Sequence, residues 1–187
     1  MAIMFNNIKK YFSRQERLFV FFAMAVGFFI SFEYGITRPP SGAIFMSHFG
    51  ARFFPYAWLA TVPVNLLVVS LYNRFLPRYG CLKTFLTIAS CVVGINTLAA
   101  FYIPKAPSLV FFQFIWKDIY ILLMFKQLWS MIHATIAQQK AKVLYGLIFG
   151  MGGIGSILGG LVPGFLATRL GSVHLFLFTA PVYVLLA

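Results

Sequence analysis

Residues 111–129 read FFQFIWKDIYILLMFKQLW. Most of this stretch suits a lipid bilayer, yet it holds Lys117, Asp118 and Lys126 with Gln113 and Gln127 beside them. A charge at the centre of a membrane helix costs about 2.5–3.5 kcal/mol on insertion scales, so three would strain insertion if all faced lipid. At 100° per residue, Lys126, Ser130 and His133 share one stripe, and Gln113, Lys117 and Tyr120 share another. Asp118 falls between the two. A helix that is polar on more than one side is expected to be surrounded by protein or water rather than lipid.

The composition agrees. The 187 residues are 61% hydrophobic and 19% aromatic, and only 10% are charged. An ordinary soluble domain is about a quarter charged, so an integral, all-α membrane protein is expected. The formal charge is +12. That balance could signal nucleic-acid binding, but the basic residues cluster in loops between apolar spans, as membrane anchoring requires. Cys81 and Cys91 have neither metal-ligand spacing nor a disulfide framework.

A spanning helix needs about 20 apolar residues. On that basis spans are expected at about 18–36, 55–73, 82–103, 109–136 and 144–166. The segment 173–187 is too short to cross and reads as an incomplete sixth span of one transmembrane domain, with the rest of the chain beyond it. Pro39 and Pro40 are expected to end the first helix after Arg38. That would put Arg38 at the lip of any cavity and make Glu33 an interfacial acid beside it. Tyr34 and Trp58 read as belt aromatics. In this reading Asp118 is the only mid-membrane acid, so Lys117 and Lys126 cannot both be paired within the chain.

Loop charges set the orientation. Lys9, Lys10, Arg14, Arg17, Arg74, Arg78, Lys83, Lys140 and Lys142 fall on one side, and Arg38, Arg52, Lys105 and Arg169 on the other. The richer side is expected to be cytoplasmic, with the N-terminus inside.

The fifth span, YGLIFGMGGIGSILGGLVPGFLATRLG, pairs Gly146 with Gly150, Gly155 with Gly159, and Gly160 with Gly164 at GxxxG spacing. Small residues so spaced let helices approach backbone to backbone. No strand precedes these glycines, so a phosphate-binding fingerprint is not indicated. Gly155, Gly159, Gly160, Pro163 and Gly164 are expected to form a packing surface, one that slides or rocks if the protein transports. His48 and His133 are isolated from other ligand-type residues, so no metal or cofactor is indicated. No catalytic triad or carboxylate pair marks an enzyme. Surplus positive charge at Arg38, Lys117 and Lys126 suits an anionic small molecule, with Asp118 orienting a lysine or coupling a proton. Proton-coupled transport of another metabolite, or a membrane subunit that transports nothing, stays open on the residues alone.

Six spans, a basic loop YNRFLPRYGCLK after the second and a glycine-rich fifth resemble the N-terminal six-helix half of a major-facilitator-type transporter. The stretches EYGITRPP, GARFFPYAWLATVP and IWKDIYILLMFKQLWSMIHATIAQQKAKVLYGLIFGMGG are similar to the ATP:ADP antiporter family of intracellular bacteria and plastids. The resemblance implies nucleotide exchange by alternating access, a bacterial inner-membrane location and a second six-helix half completing the protein. The family's fourth-span acid corresponds to Asp118, with Lys117 an unusual neighbour. Ser41 and Gly42 stand where the family carries a Lys-Asp pair, a departure that points to a divergent member with another anionic substrate.

Overall fold

The computed structural model describes residues 12–186; Lys9 and Lys10 of the N-terminal arm, and Ala187, lie outside them. It is all-helical, without a strand among the described residues. Helix α1 is Arg14–Phe49. A capping box starts it: the Glu16 amide donates to Ser13 Oγ at 3.3 Å, and the Ser13 amide donates to Glu16 Oε2 at 2.7 Å. Phe54–Tyr102 is one run of helical hydrogen bonds broken at Gly80, where φ is 74° and ψ is 169°. Only glycine adopts that conformation readily, so the run comprises α2 (54–79) and α3 (81–102). Helix α4 is Leu109–Thr135, α5 is Gln138–Leu170, and a 3-10 turn, Val173–Phe178, leads into α6, Thr179–Leu186.

Among the described residues, three stretches are long and apolar enough to cross a membrane: Glu16–Phe49, Ala51–Tyr102 and Gln138–Leu170. Helix α4, interrupted by its three charges, is not among them. Instead it supplies much of the core.

Two apolar layers show that the chain reverses direction from helix to helix. At one end Val20 of α1, Phe85 of α3, Ile132 of α4 and Leu144 of α5 meet. At the other, Phe45 of α1, Ala57 of α2, Ala100 of α3, Phe114 of α4 and Phe176 converge. Large apolar side chains outside these layers, such as Leu59 and Leu66 of α2 and Ile157 and Phe165 of α5, stay exposed on the outside.

Helices α1 and α5 pack backbone to backbone. A methyl group built on Gly155 or Gly159 would collide with the carbonyl oxygen of Phe28 or Phe32, and one on Gly35 would lie 2.7 Å from the Ser156 carbonyl oxygen. Pro163 is buried on the same helix. Gly160 touches Gly35 only through its amide nitrogen, and a methyl on Gly160 or Gly164 would meet nothing within 4 Å; the same holds for Gly146 and Gly150. The contacting face is therefore Gly152, Gly155 and Gly159, at helical spacings of three and four residues.

One boundary expectation fails. Pro39 and Pro40 do not end α1, which continues to Phe49. A proline's fixed φ is compatible with a helix; what it removes is an amide donor. Around them Thr37 Oγ1 donates to the Glu33 carbonyl at 3.3 Å and Ser41 Oγ to the Thr37 carbonyl at 2.9 Å. Those bonds do not reach the Gly35 and Ile36 carbonyls that the prolines leave without an amide donor; membrane helices tolerate proline where neighbouring helices hold them, and α5 packs directly on Gly35. The first helix consequently outruns the 18–36 span, and the 173–187 segment opens as a 3-10 turn rather than an α-helix.

Candidate functional site

The extension of α1 moves Glu33 from an expected rim position to the middle of the bundle. It is fully buried and forms no ion pair with Arg38 or any other cation among the described residues. Asp118 is thus not the only interior acid. Thr179 Oγ1 donates to Glu33 Oε1 at 2.8 Å and Tyr120 OH to the same oxygen at 3.1 Å. The chain of bonds continues from Gln113 Nε2 to Asn96 Oδ1 (3.0 Å), and from Asn96 Nδ2 to Thr179 Oγ1 (2.9 Å). Thr37 Oγ1 lies 2.6 Å from Tyr120 OH. Side chains from α1, α3, α4 and α6 are therefore tied together inside the apolar core. Buried polar groups of this kind are costly unless hydrogen-bonded, and the network provides most of those bonds.

Beside it, Lys117 and Asp118 form an ion pair, Nζ to Oδ2 at 2.8 Å. Adjacent helical residues normally diverge, but the flexible lysine stem lets the ammonium swing back to its neighbour. The ammonium also lies 3.9 Å from the ring centroid of Phe114, one turn earlier, a cation–π contact strengthened by burial. Lys117 is 5% exposed. Asp118 is more open, and its Oδ1 accepts from Tyr34 OH at 3.0 Å. Tyr34 is therefore a partner of the charge pair rather than a belt aromatic. Trp58 is exposed and stacks on Phe54.

The ring of Tyr34 connects this pair to Arg38, whose guanidinium carbon is 5.9 Å from its centroid. Arg38 is exposed and lines an open cavity of about 430 Å³ between α1 and α5, with Gly35, Pro39, Gly42, Ser156 and Gly160. Ligand sites commonly have volumes of about 300–1,000 Å³. No carboxylate among the described residues lies within ion-pair distance of Arg38. Arg38, Lys117 and Asp118 together carry one net positive charge. A bundle of apolar helices screens such a charge poorly compared with water.

The structure brings together Arg38, Lys117 and Asp118 but not Lys126. Nine residues further along α4, about 14 Å by helical rise, Lys126 Nζ donates to Asn73 Oδ1 at 2.9 Å and lies 4.7 Å from the Tyr72 ring centroid. The expected surplus of two lysines over one acid is resolved differently: Lys117 takes Asp118, Lys126 takes an amide oxygen, and the arginine keeps its charge for the cavity. On the same turn Gln127 accepts from Tyr72 OH at 2.7 Å and donates to the Cys81 carbonyl at 2.6 Å, which fixes α2 and the start of α3 to α4.

Asn96 and Thr179 were not singled out from sequence, and Glu33 was read as an interfacial acid rather than a site residue. The signal for two of them was present: Glu33 and Thr37 stand at i, i+4 and Asn96 interrupts the apolar run CVVGINTLAA. No cluster of three His, Cys, Asp or Glu side chains that could hold a metal occurs among the described residues. His133 instead lies 3.0 Å, through Nε2, from Tyr145 OH. Comparison with known proteins yields no matching family model, no matching curated protein and no matching solved structure.

Proposed function

We propose that this bundle is part of a secondary membrane transporter for anionic solutes, with nucleotides of the ATP/ADP type as the leading substrate class. The observation that carries the reading is Arg38: an arginine in an open cavity, without a carboxylate partner, and linked through Tyr34 to a largely buried Lys117–Asp118 pair. A guanidinium offers five N–H donors in a planar fork suited to phosphate and carboxylate. Lys117 has three ammonium hydrogens; the bond to Asp118 uses one and sets the direction of the others. Asp118 therefore positions a lysine, a role also raised from sequence.

In a major-facilitator-type arrangement, a second six-helix half would close the cavity, and rocking of the halves would alternate access to it. The close α1–α5 contact would let those two helices move as one body during that rocking. The N-terminus is cytoplasmic in this reading. The ends of the bundle accord with the loop charges: the Glu16–Lys140 ion pair (2.8 Å) and the Gln127–Cys81 bond gather the basic loops at the end where α1 begins.

The test is uptake of labelled ATP and ADP by bacterial cells producing the full-length protein. Nucleotide uptake that is lost in Arg38→Ala supports the proposal. Uptake of a neutral solute with no nucleotide uptake removes the substrate class, and no uptake of any solute favours a non-transporting membrane subunit.

A further inference from the structure

The anion site leaves the buried acid of α1 unused. Both side-chain hydrogen bonds that Glu33 receives, from Thr179 and Tyr120, fall on Oε1. Its other oxygen, Oε2, is buried without a partner. The Tyr183 hydroxyl of α6 is likewise buried and unpartnered. The remaining neighbours are Thr37 on α1, Tyr120 on α4, and Asn96 of α3 behind Thr179. Helix α5 meets this part of α1 through glycines. Tyr34, next in sequence, turns to Asp118. No cationic side chain faces the carboxyl among the described residues.

An ionised carboxylate here would be a buried charge without a counter-ion, which folded proteins avoid. One proton on Oε2 removes that charge. The neutral acid keeps the bonds from Thr179 and Tyr120 on Oε1 and leaves no uncompensated charge in the core.

We propose that Glu33 is a proton-binding site, occupied at neutral pH, and that its loading and unloading couple transport to the proton gradient. The coupling rests on the transporter reading above; the proton site does not. The step is a single transfer: the carboxylate takes a proton from one aqueous face to become the acid and returns it to the other face, leaving the carboxylate held by Tyr120 and Thr179. Because the partners of Glu33 lie on α4 and α6, its protonation changes the bonds that hold α1 to those helices.

Two measurements on the full-length protein test this. Infrared spectroscopy of the protein in lipid at neutral pH should show a carboxylic-acid C=O band that disappears in Glu33→Gln and returns, shifted, in Glu33→Asp. Absence of the band from the unmodified protein, or its survival in Glu33→Gln, overturns the proton site. In proteoliposomes, an inward proton gradient should drive accumulation of labelled ATP together with acidification reported by trapped pyranine. In Glu33→Gln, accumulation relative to ATP/ADP counterflow should fall to that of vesicles without a gradient. Retained pH-driven accumulation in Glu33→Gln, or dependence on sodium instead of protons, overturns the coupling. Should the unmodified protein move no ATP, the substrate reading fails, and the infrared comparison alone decides the proton site.

Discussion

Adding one methyl group at a time to α5 separates the glycines that hold the bundle from those that do not. At Gly155 and Gly159 an added Cβ meets the carbonyl oxygens of Phe28 and Phe32, which are backbone atoms and cannot rotate away. Relief requires α1 and α5 to move apart along their length, and overpacking of this kind typically costs about 1–3 kcal/mol. At Gly153 and Gly164 the added methyl meets nothing within 4 Å. There only helix propensity acts, and alanine is favoured over glycine by about 1 kcal/mol. Gly155→Ala and Gly159→Ala should therefore lose about 1–3 kcal/mol, net of propensity, while Gly153→Ala and Gly164→Ala gain up to about 1 kcal/mol. Reversible unfolding in mixed detergent micelles, titrated with SDS, reads all four on one scale. Equal stability of Gly159→Ala and Gly164→Ala would refute the backbone contact between α1 and α5.

Two further outcomes follow from the geometry. Lys117→Met strands the Asp118 carboxylate and should cost about 2–4 kcal/mol in the same unfolding assay, short of the fully buried limit because Asp118 is 29% exposed. Adding Asp118→Asn should recover part of that loss, and a strictly additive double variant would show that the two side chains do not interact. Gly80→Ala forces a side chain into a conformation that only glycine takes readily, so it should destabilise by about 1–3 kcal/mol. Gly94→Ala, in the open helical stretch of α3, should stabilise by up to about 1 kcal/mol, and thermal melts of the detergent-solubilised protein compare the two.

The helix most legible in sequence is α4, expected over 109–136 and found at Leu109–Thr135. Its flanks, PKAPS and AQQKAK, are short polar breaks at which an apolar run has to stop. Its burial was legible too, because charges on more than one face leave no side suited to lipid; Gln113, Lys117, Tyr120 and Gln127 are all buried. The error at Pro39 and Pro40 had a larger consequence than a shifted boundary. Ending α1 at Arg38 placed Glu33 at a rim, where an acid can reach water, whereas continuing it to Phe49 places the same acid mid-bundle. Propensity reports what proline does to an isolated helix, and here packing against the neighbouring helices decides instead. The hydrogen-bond donors to Glu33 lie 87 and 146 positions away in sequence, so no local pattern could have joined them. Gly160 and Gly164 met the GxxxG spacing as well as Gly155 and Gly159 did; which pair faces α1 depends on helix rotation, which spacing alone leaves free.

The most direct test of the anion site is equilibrium binding of labelled ATP to the purified full-length protein, before and after Arg38→Gln. Charge-assisted hydrogen bonds contribute about 1.5–3 kcal/mol, so the substitution should weaken binding by roughly ten- to a hundredfold, and added salt should weaken binding to the unmodified protein. Unchanged affinity in Arg38→Gln, or binding insensitive to salt, would contradict an anion site at Arg38.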